Sequence, residues 1–446
     1  MLCLLGLALA ALVAPADTEL SVARACGLGS LRGAKSLTVA VLGGSMTAGT
    51  GCKTATETGR ACAWPAQMEK HLAAALGANV TVLNMAVAAS STPGHAATAL
   101  GQLKMLGAAL DAVIVDYSVN DYALASGEKR EGRGYPGADG TGGGLAEATE
   151  ALVRNLLCLP SAPAVLYFDT KPVEPHNAIA AMYGIPQIGG KKALFSGKHP
   201  HSDLHRSFGN GVGAALLAAG AAAAPPPGAC ASATCATLPA PLGRESLLEA
   251  YSPCGSGGVL REVPELQPAD SQGWSLFEDV PGKLGWIANS TNSTADAPPA
   301  FMSFDVTLGA RGVVSVTYQQ SWRRLGVAVM WLGDPTPPLR DAGHLLRTAS
   351  SEDTVERASV AVLHGWWETA ATMTSTEVWD PNTYFDKHKR AKVRHSPPRY
   401  PPGAYRLHIA MWPHSEPPYH RGKQKQALQE FVEGWNMFKV TAVGSC

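Results

Sequence analysis

Three polar side chains, Ser45, Asn120 and His199, each lie at or near the end of a short apolar run, and together they could carry acyl transfer. A serine hydroxyl is a weak nucleophile. It needs a base to take its proton and donors to hold the negative oxygen that forms on the attacked carbonyl. Histidine titrates near neutrality and suits the base. An asparagine amide donates, and so do the backbone N–H groups of Ser45 and of the small-residue turn around Ala88 and Ala89. The plainer reading of Gly43-Gly44-Ser45 is a strand-to-helix loop with Ser45 as the helix N-cap. What separates the two readings is whether later strand ends supply the other groups.

The elements that must position these residues alternate. Residues 37–42 form an apolar, β-branched run that reads as a buried parallel strand. Residues 65–76 have helical spacing, with Met68, Leu72 and Leu76 on one face. Strands are expected at 79–83, 112–117 and 164–168, and helices at 96–110, 145–157, 176–182 and about 206–223. Residues 132–144 are glycine-rich and read as a surface loop. Strands alternating with helices argue for a parallel sheet covered by helices on both faces. Such sheets bind ligands at the carboxyl ends of their strands, where Ser45, the 88–89 turn, Asn120 and His199 fall in order.

In that order the blocks resemble those of the SGNH (GDSL-like) hydrolases. Gly43-Gly44-Ser45 is similar to the first block, with Gly44 where many members have Asp. Residues 84–91 are similar to the second, with Ala89 at the glycine whose N–H donates. Ser118-Val119-Asn120-Asp121 resembles the third, Gly-x-Asn-Asp, with Ser118 in place of Gly. Ser196-Gly197-Lys198-His199-Pro200 resembles the fifth, Asp-x-x-His-Pro, and His205 fits its Gly-His element. The resemblance covers residues 36–220. It implies the SGNH hydrolase fold, a flavodoxin-like α/β sheet, with Ser45 as nucleophile, His199 as base, and Ser45, Ala89 and Asn120 as the oxyanion hole.

One departure matters: the family's acid lies three residues before the histidine, where this chain has Ser196. Asp203 and Asp169 are candidates for orienting the imidazole, and neither is assigned; a backbone carbonyl is a third arrangement. In a serine protease the loss of the acid costs about 10⁴ in rate, so a dyad can still turn over slowly. His201 and His205 flank the base. A His-x-His pair can bind metal, but with no second ligand pair nearby the chain is expected to use no metal or other cofactor. His205 is expected to cap or pack its helix, and Asp121 to bond local backbone N–H groups. Trp64 and Tyr122 are candidates for pocket lining or for core packing.

The chain has 446 residues, 46% of them hydrophobic, with 36 basic and 36 acidic side chains. That length predicts two domains, and the even charge excludes an extended nucleic-acid-binding surface. Residues 2–13 are almost wholly apolar and lead into Ala14-Pro15-Ala16, which reads as a secretory signal peptide of residues 1–16; a membrane anchor is the alternative, though the run is short for a span. No other segment suits stable membrane insertion. Nine cysteines fall to eight without Cys3, a number that suits disulfides. Cys52 with Cys62, Cys230 with Cys235, and Cys254 with Cys446 are conceivable pairs; sequence does not fix the connectivity. Sequons at Asn79, Asn289 and Asn292 offer glycosylation sites.

Residues 221–243, rich in alanine and proline, read as a linker between a hydrolase domain at 17–220 and a second domain at 244–446. In the second domain, short alternating runs at 301–308, 313–318, 327–332, 358–363, 405–411 and 438–443 predict an antiparallel β-sandwich. Most of the tryptophans lie there, where packing is favoured over sugar platforms. Residues 273–286 are similar to a segment of large, algal-type SGNH proteins that carry a β-rich domain after the hydrolase domain; no role follows from that likeness. The expected activity is that of a secreted esterase acting on a carboxylic ester, with acetyl groups on extracellular polysaccharide as one candidate substrate. The alternatives are an O-acyltransferase acting on glycans and a non-catalytic cell-surface binding protein on a decayed hydrolase fold.

Overall fold

The structure, a computed structural model, describes residues 35–105, 110–131, 145–159, 161, 163–189, 193–194, 199–222, 238, 259–279, 284–289, 300–310, 312–321, 326–333, 360–365, 372–386, 391–394, 398, 400–411 and 437–445. Two compact units divide the chain, Met1–Ser252 and Pro253–Cys446. The expected signal peptide lies outside the described residues, as does nearly all of the expected linker.

In the first unit, five parallel strands stand in the order β2-β1-β3-β4-β5. They are β1 (Ser36–Gly43), β2 (Asn79–Asn84), β3 (Ala112–Asp116), β4 (Ala164–Asp169) and β5 (Gln187–Gly189). The helices are α1 (Trp64–Leu76), α2 (Thr92–Met105), α3 (Ser118–Glu131), α4 (Leu145–Leu157), α5 (Glu174–Met182) and α6 (Ser202–Ala222). The chain leaves β1 for β2 on one side and then crosses to β3 on the other. This reversal opens a crevice at the carboxyl ends of β1 and β3, which is where such sheets take ligands.

The continuous apolar run of β1 has a simple cause: both of its faces are covered. Ala40 and Leu42 point into one core with Val113, Val115 and Tyr167 and with residues of α2, α4 and α5. Leu37, Val39 and Val41 point into the other with Ile114, Leu166 and Phe168 and with Trp64, Met68 and Leu72 of α1 and Phe208, Val212 and Leu216 of α6. Each such side chain contributes about 1.5–3 kcal/mol when fully buried. Helices α1 and α6 pack closely because α6 carries Gly209 at the contact. A methyl group there would lie 2.6 Å from the Trp64 carbonyl oxygen. That close packing fixes the start of α6, and the segment bearing His199 leads directly into it.

Trp64, a candidate for lining a pocket, is instead part of this core. It is fully buried, packs edge-on against Phe168 at 5.1 Å, and donates from Nε1 to Thr47 Oγ1 at 3.3 Å. Tyr122, in the first turns of α3, is exposed.

The second unit has two main antiparallel sheets, with strand orders β13-β12-β17-β10-β7 and β14-β11-β18-β9-β8. The first contains β7 (Asp270–Gln272), β10 (Phe301–Leu308), β12 (Val327–Gly333), β13 (Val360–His364) and β17 (Gly403–Met411). The second contains β8 (Trp274–Glu278), β9 (Leu284–Asn289), β11 (Val314–Ser321), β14 (Thr372–Trp379) and β18 (Met437–Ser445), with β6 (Val259–Glu262) paired to β18. β15 (Thr383–Asp386) and β16 (Ala391–Arg394) form a separate hairpin. Alternate residues of both sheets, among them Met302, Phe304, Val316, Met330, Ile409 and Phe438, share one core. The tryptophans described there pack: Trp274 is buried with Phe438 at 6.4 Å, and Trp286 donates to the Leu266 carbonyl. Within residues 273–286, Trp274–Glu278 form β8, which pairs antiparallel with β9 from Leu284 onward.

Candidate active site

β1 ends at Gly43, and Ser45 stands just beyond it in a run of turns; the first regular helix starts only at Trp64. The Ala48 N–H bonds to the Gly44 carbonyl at 2.9 Å, and the Thr50 N–H to the Ser45 carbonyl at 2.9 Å, so the backbone curls tightly about the serine. Ser45 is half-buried and His199 is exposed. Ser45 Oγ and His199 Nε2, 154 residues apart in sequence, are 2.9 Å apart. At that separation the serine hydroxyl donates to a neutral imidazole, the geometry in which a base draws off the proton.

Asn120, one of the expected oxyanion donors, stands beside Gly44, the residue before the serine. A methyl group on Gly44 would lie 3.1 Å from Asn120 Nδ2 and 3.1 Å from the Ser90 carbonyl oxygen. Asn120 Nδ2 itself donates to the Ser90 carbonyl at 2.6 Å, leaving its second hydrogen for another acceptor. Asn120 lies in the first turn of α3, immediately beyond β3. Ala89 has φ 76°, the one non-glycine with positive φ among the described residues, at the position where the resemblance expects glycine. Neither the Ser45 N–H nor the Ala89 N–H donates to any acceptor among the described residues. Unpaired backbone donors at largely buried positions are rare in folded chains.

Further bonds hold the turn that carries Ser45. Thr47 Oγ1 donates to Asp116 Oδ2 at 2.5 Å, and Ser118 Oγ to Asp116 Oδ1 at 3.2 Å. The Gly44 N–H bonds to the Asp116 carbonyl at 3.2 Å, and the Thr170 N–H to Ser118 Oγ at 2.9 Å. Ser118, which stands where the family has glycine, thus ties the ends of β3 and β4 together. Burial pushes the Asp116 carboxyl up to about 7, with the Asp169 charge adding to the rise and the bond from Thr47 opposing it. Asn84 Nδ2 donates to the Thr47 carbonyl at 2.8 Å, and the Arg60 guanidinium donates to the carbonyls of Asn84 and Ala86. Arg60 sits in the loop closed by the Cys52–Cys62 disulfide, and a methyl group on Gly51 would lie 3.3 Å from His199 Cβ. Cys158 is also disulfide-bonded. The 230–235 and 254–446 pairs lie outside the described residues.

The two candidate acids are engaged elsewhere. Asp169 is buried, with Oδ1 2.9 Å from His176 Nδ1, and its Oδ2 accepts from Gln187 Nε2 at 2.5 Å. Asp203 lies in the first turn of α6, exposed, 3.8 Å from Arg206. Ser196, at the family's acid position, lies outside the described residues. Asp121 accepts the Thr92 N–H at 2.9 Å; this bond spans 29 residues, where only local backbone bonding was expected. His205 is buried and accepts the Trp64 N–H on Nδ1 at 3.2 Å, joining α6 to α1. Burial, with lesser contributions from His199 and His201, lowers its pKa to about 4, so it stays neutral. His201 is exposed, and among the described residues no cluster of His, Cys, Asp or Glu is arranged to hold a metal.

Asn79 is exposed at the start of β2, Asn289 ends β9, and Asn292 lies outside the described residues. Among the described residues no helix is long and apolar enough to cross a membrane.

Three groups escaped the sequence reading: Asp116, Arg60 and His176. Their partners lie 69, 24 and 55 residues away, at Thr47, Asn84 and Asp121. The available signal was weak: an acid closing a buried strand, and a histidine on the inner face of a short helix.

No protein-family model matches the chain, and a search of curated proteins finds no match. Solved structures do match. A two-domain esterase active on acetylated mannans, solved with mannopentaose, aligns over 94% of this chain and 92% of its own, at 15% identity and a TM-score of 0.52. The same esterase without mannopentaose aligns over 93% and 92%, with a TM-score of 0.53. Est24, a carbohydrate acetylesterase from Sinorhizobium meliloti, aligns over 41% of this chain and 99% of its own, at 17% identity and a TM-score of 0.31. None of these matches speaks to the algal likeness of residues 273–286. The chain has the fold of the two-domain esterase: an SGNH-like parallel sheet of five strands with helices, followed by two antiparallel sheets.

Proposed function

We propose that this chain is a serine esterase. The observation that carries the reading is the 2.9 Å approach of His199 Nε2 to Ser45 Oγ. Ser45 Oγ attacks the ester carbonyl as His199 takes its proton. The carbonyl oxygen gathers negative charge against the Ser45 and Ala89 N–H groups and the Asn120 amide. His199 returns the proton to the leaving alcohol, and the acyl group stays on Ser45 until water, activated by the same imidazole, releases it.

The substrate we favour is an acetyl ester on an extracellular glycan. Two lines support it: the apolar N-terminal segment ending in Ala14-Pro15-Ala16, which suits secretion, and the shared two-domain fold with an esterase active on acetylated mannans. Acetylated mannan is therefore the first polymer to test.

The test begins with p-nitrophenyl acetate and a fluorophosphonate probe. Wild-type protein should turn over the ester and take the probe at Ser45. Ser45→Ala should lose nearly all turnover, roughly 10⁴-fold or more, while keeping its thermal unfolding transition. Wild-type turnover in Ser45→Ala, or no labelling of the native protein, would remove the assignment. Product analysis with a glycan acceptor separates hydrolysis from transfer to sugar.

A further inference from the structure

Behind the site, a buried histidine lies between two buried carboxylates. His176 of α5 has Nδ1 2.9 Å from Asp169 Oδ1 at the end of β4, and Nε2 3.0 Å from Asp121 Oδ2 in α3. All three side chains are 0% exposed. The chain of contacts continues at both ends. Asp121 accepts the Thr92 N–H at 2.9 Å and the Thr92 hydroxyl at 2.5 Å, at the start of α2. Asp169 accepts from Gln187 Nε2 at 2.5 Å, in β5. One polar line thus crosses the carboxyl edge of the sheet through the segments that follow β2, β3 and β4.

Two ionised carboxylates without water would be costly unless a cation stood between them. Burial alone lowers the pKa of His176, but the charges and hydrogen bonds of Asp169 and Asp121 raise it to about 10. The third ionisable group facing it, Tyr167 of β4, lies against the ring with centroids 5.0 Å apart, and its hydroxyl is held well above its usual range by burial and by the same carboxylates.

The position of this line gives it more than a packing role. Thr92 follows Ala89 by three residues, Asp121 directly follows Asn120, and Asn120 Nδ2 donates to the Ser90 carbonyl. Ser90, Thr92, Asp121 and Asn120 therefore form a closed loop of covalent and hydrogen bonds. Two of the three expected oxyanion donors sit on it or beside it, and His176 anchors it to β4. Buried ion pairs add little net stability, but they select one geometry over others. An oxyanion hole depends on such selection, because its donors must be aimed before charge develops.

Resting on the esterase reading above, we propose that His176 is a positioning residue, a buried side chain that holds the Ala89 and Asn120 donors in register through Asp121 and Thr92. It touches no substrate and acts only through those donors.

The test is a double-mutant cycle on full-length protein with p-nitrophenyl acetate. His176→Gln should lower kcat by about ten-fold or more while KM stays within about two-fold. In an Asn120→Ala background the same change should cost less than about three-fold, because one of the two donors being positioned, and the tie from it to the Ser90 carbonyl, have gone. A general loosening of the fold would cost the same in both backgrounds. If His176→Gln does not fold, Thr92→Val takes its place in the cycle, and Thr92→Ser, which keeps the hydroxyl, should restore kcat. Equal losses in both backgrounds, or no loss, with an active wild type overturn the positioning role alone. A wild type that neither turns over the ester nor takes the fluorophosphonate overturns the esterase reading, and this inference with it.

Discussion

Asn120 Nδ2 donates to the Ser90 carbonyl at 2.6 Å, so the first turn of α3 is tied to the turn that carries Ala89. The two segments follow different strands, β3 and β2, which lie on opposite sides of β1. The bond bridges over the end of β1, the strand that leads to Ser45.

Removing that amide should remove both a donor and the tie. Asn120→Ala is expected to lower kcat by about 10²–10³ with a small change in KM, the usual result of deleting one oxyanion donor. Steady-state kinetics on p-nitrophenyl acetate check this. A loss below ten-fold would exclude Asn120 from the hole.

Ala89 offers a change in the opposite direction. Its φ of 76° places an L-residue in the left-handed region, at a cost of about 1–2 kcal/mol. Ala89→Gly relieves that strain but gives back about 0.5–1 kcal/mol through the freer unfolded chain. The variant should match or exceed the parent in stability by up to about 1 kcal/mol and should keep its activity, since the N–H remains. Urea unfolding with parallel assays reads both, and a clear loss of either would contradict this account.

His176 predicts how stability responds to alkali. Its folded pKa, about 10, lies above the unfolded value near 6.5. Its contribution is therefore complete below pH 6.5 and is lost as pH rises through 10, because the unfolded chain releases the proton first. The slope is at most about 1.4 kcal/mol per pH unit for one proton. The Tyr167 hydroxyl, held above its usual range, stays neutral over this window. Urea midpoints from pH 7 to 10 should fall more steeply for wild type than for His176→Gln. Parallel curves would mean that His176 is not the buried cation.

Much of this was legible in the sequence, and the limits have physical causes. Local patterns carried the sheet. The apolar run of β1 and the helical spacing of α1 each come from which faces are buried, and each element formed within a few residues of expectation. The strands missed in the second unit fail the same test: β14 is largely polar, and it stands at a sheet edge where one flank needs no partner. Ser45, Asn120 and His199 could be read because their blocks keep a recognisable type and order. Trp64 stayed open between a pocket and a core because its size suits both equally, and only Phe168 and Thr47 decide between them. Asp169 shows a related limit. An acid at a strand end is visible in sequence, but its partner His176 is not, since nothing local pairs them.

The 154-residue separation between Ser45 and His199 bears on how this domain acquires function. Ser45 follows the first strand of the sheet, and His199 arrives only after the fifth. Contacts between distant segments are paid for in loop-closure entropy, so they tend to close late. Turnover therefore reports the last stage of folding: in a refolding experiment, helix and sheet signals recover with or before esterase activity, and never after it.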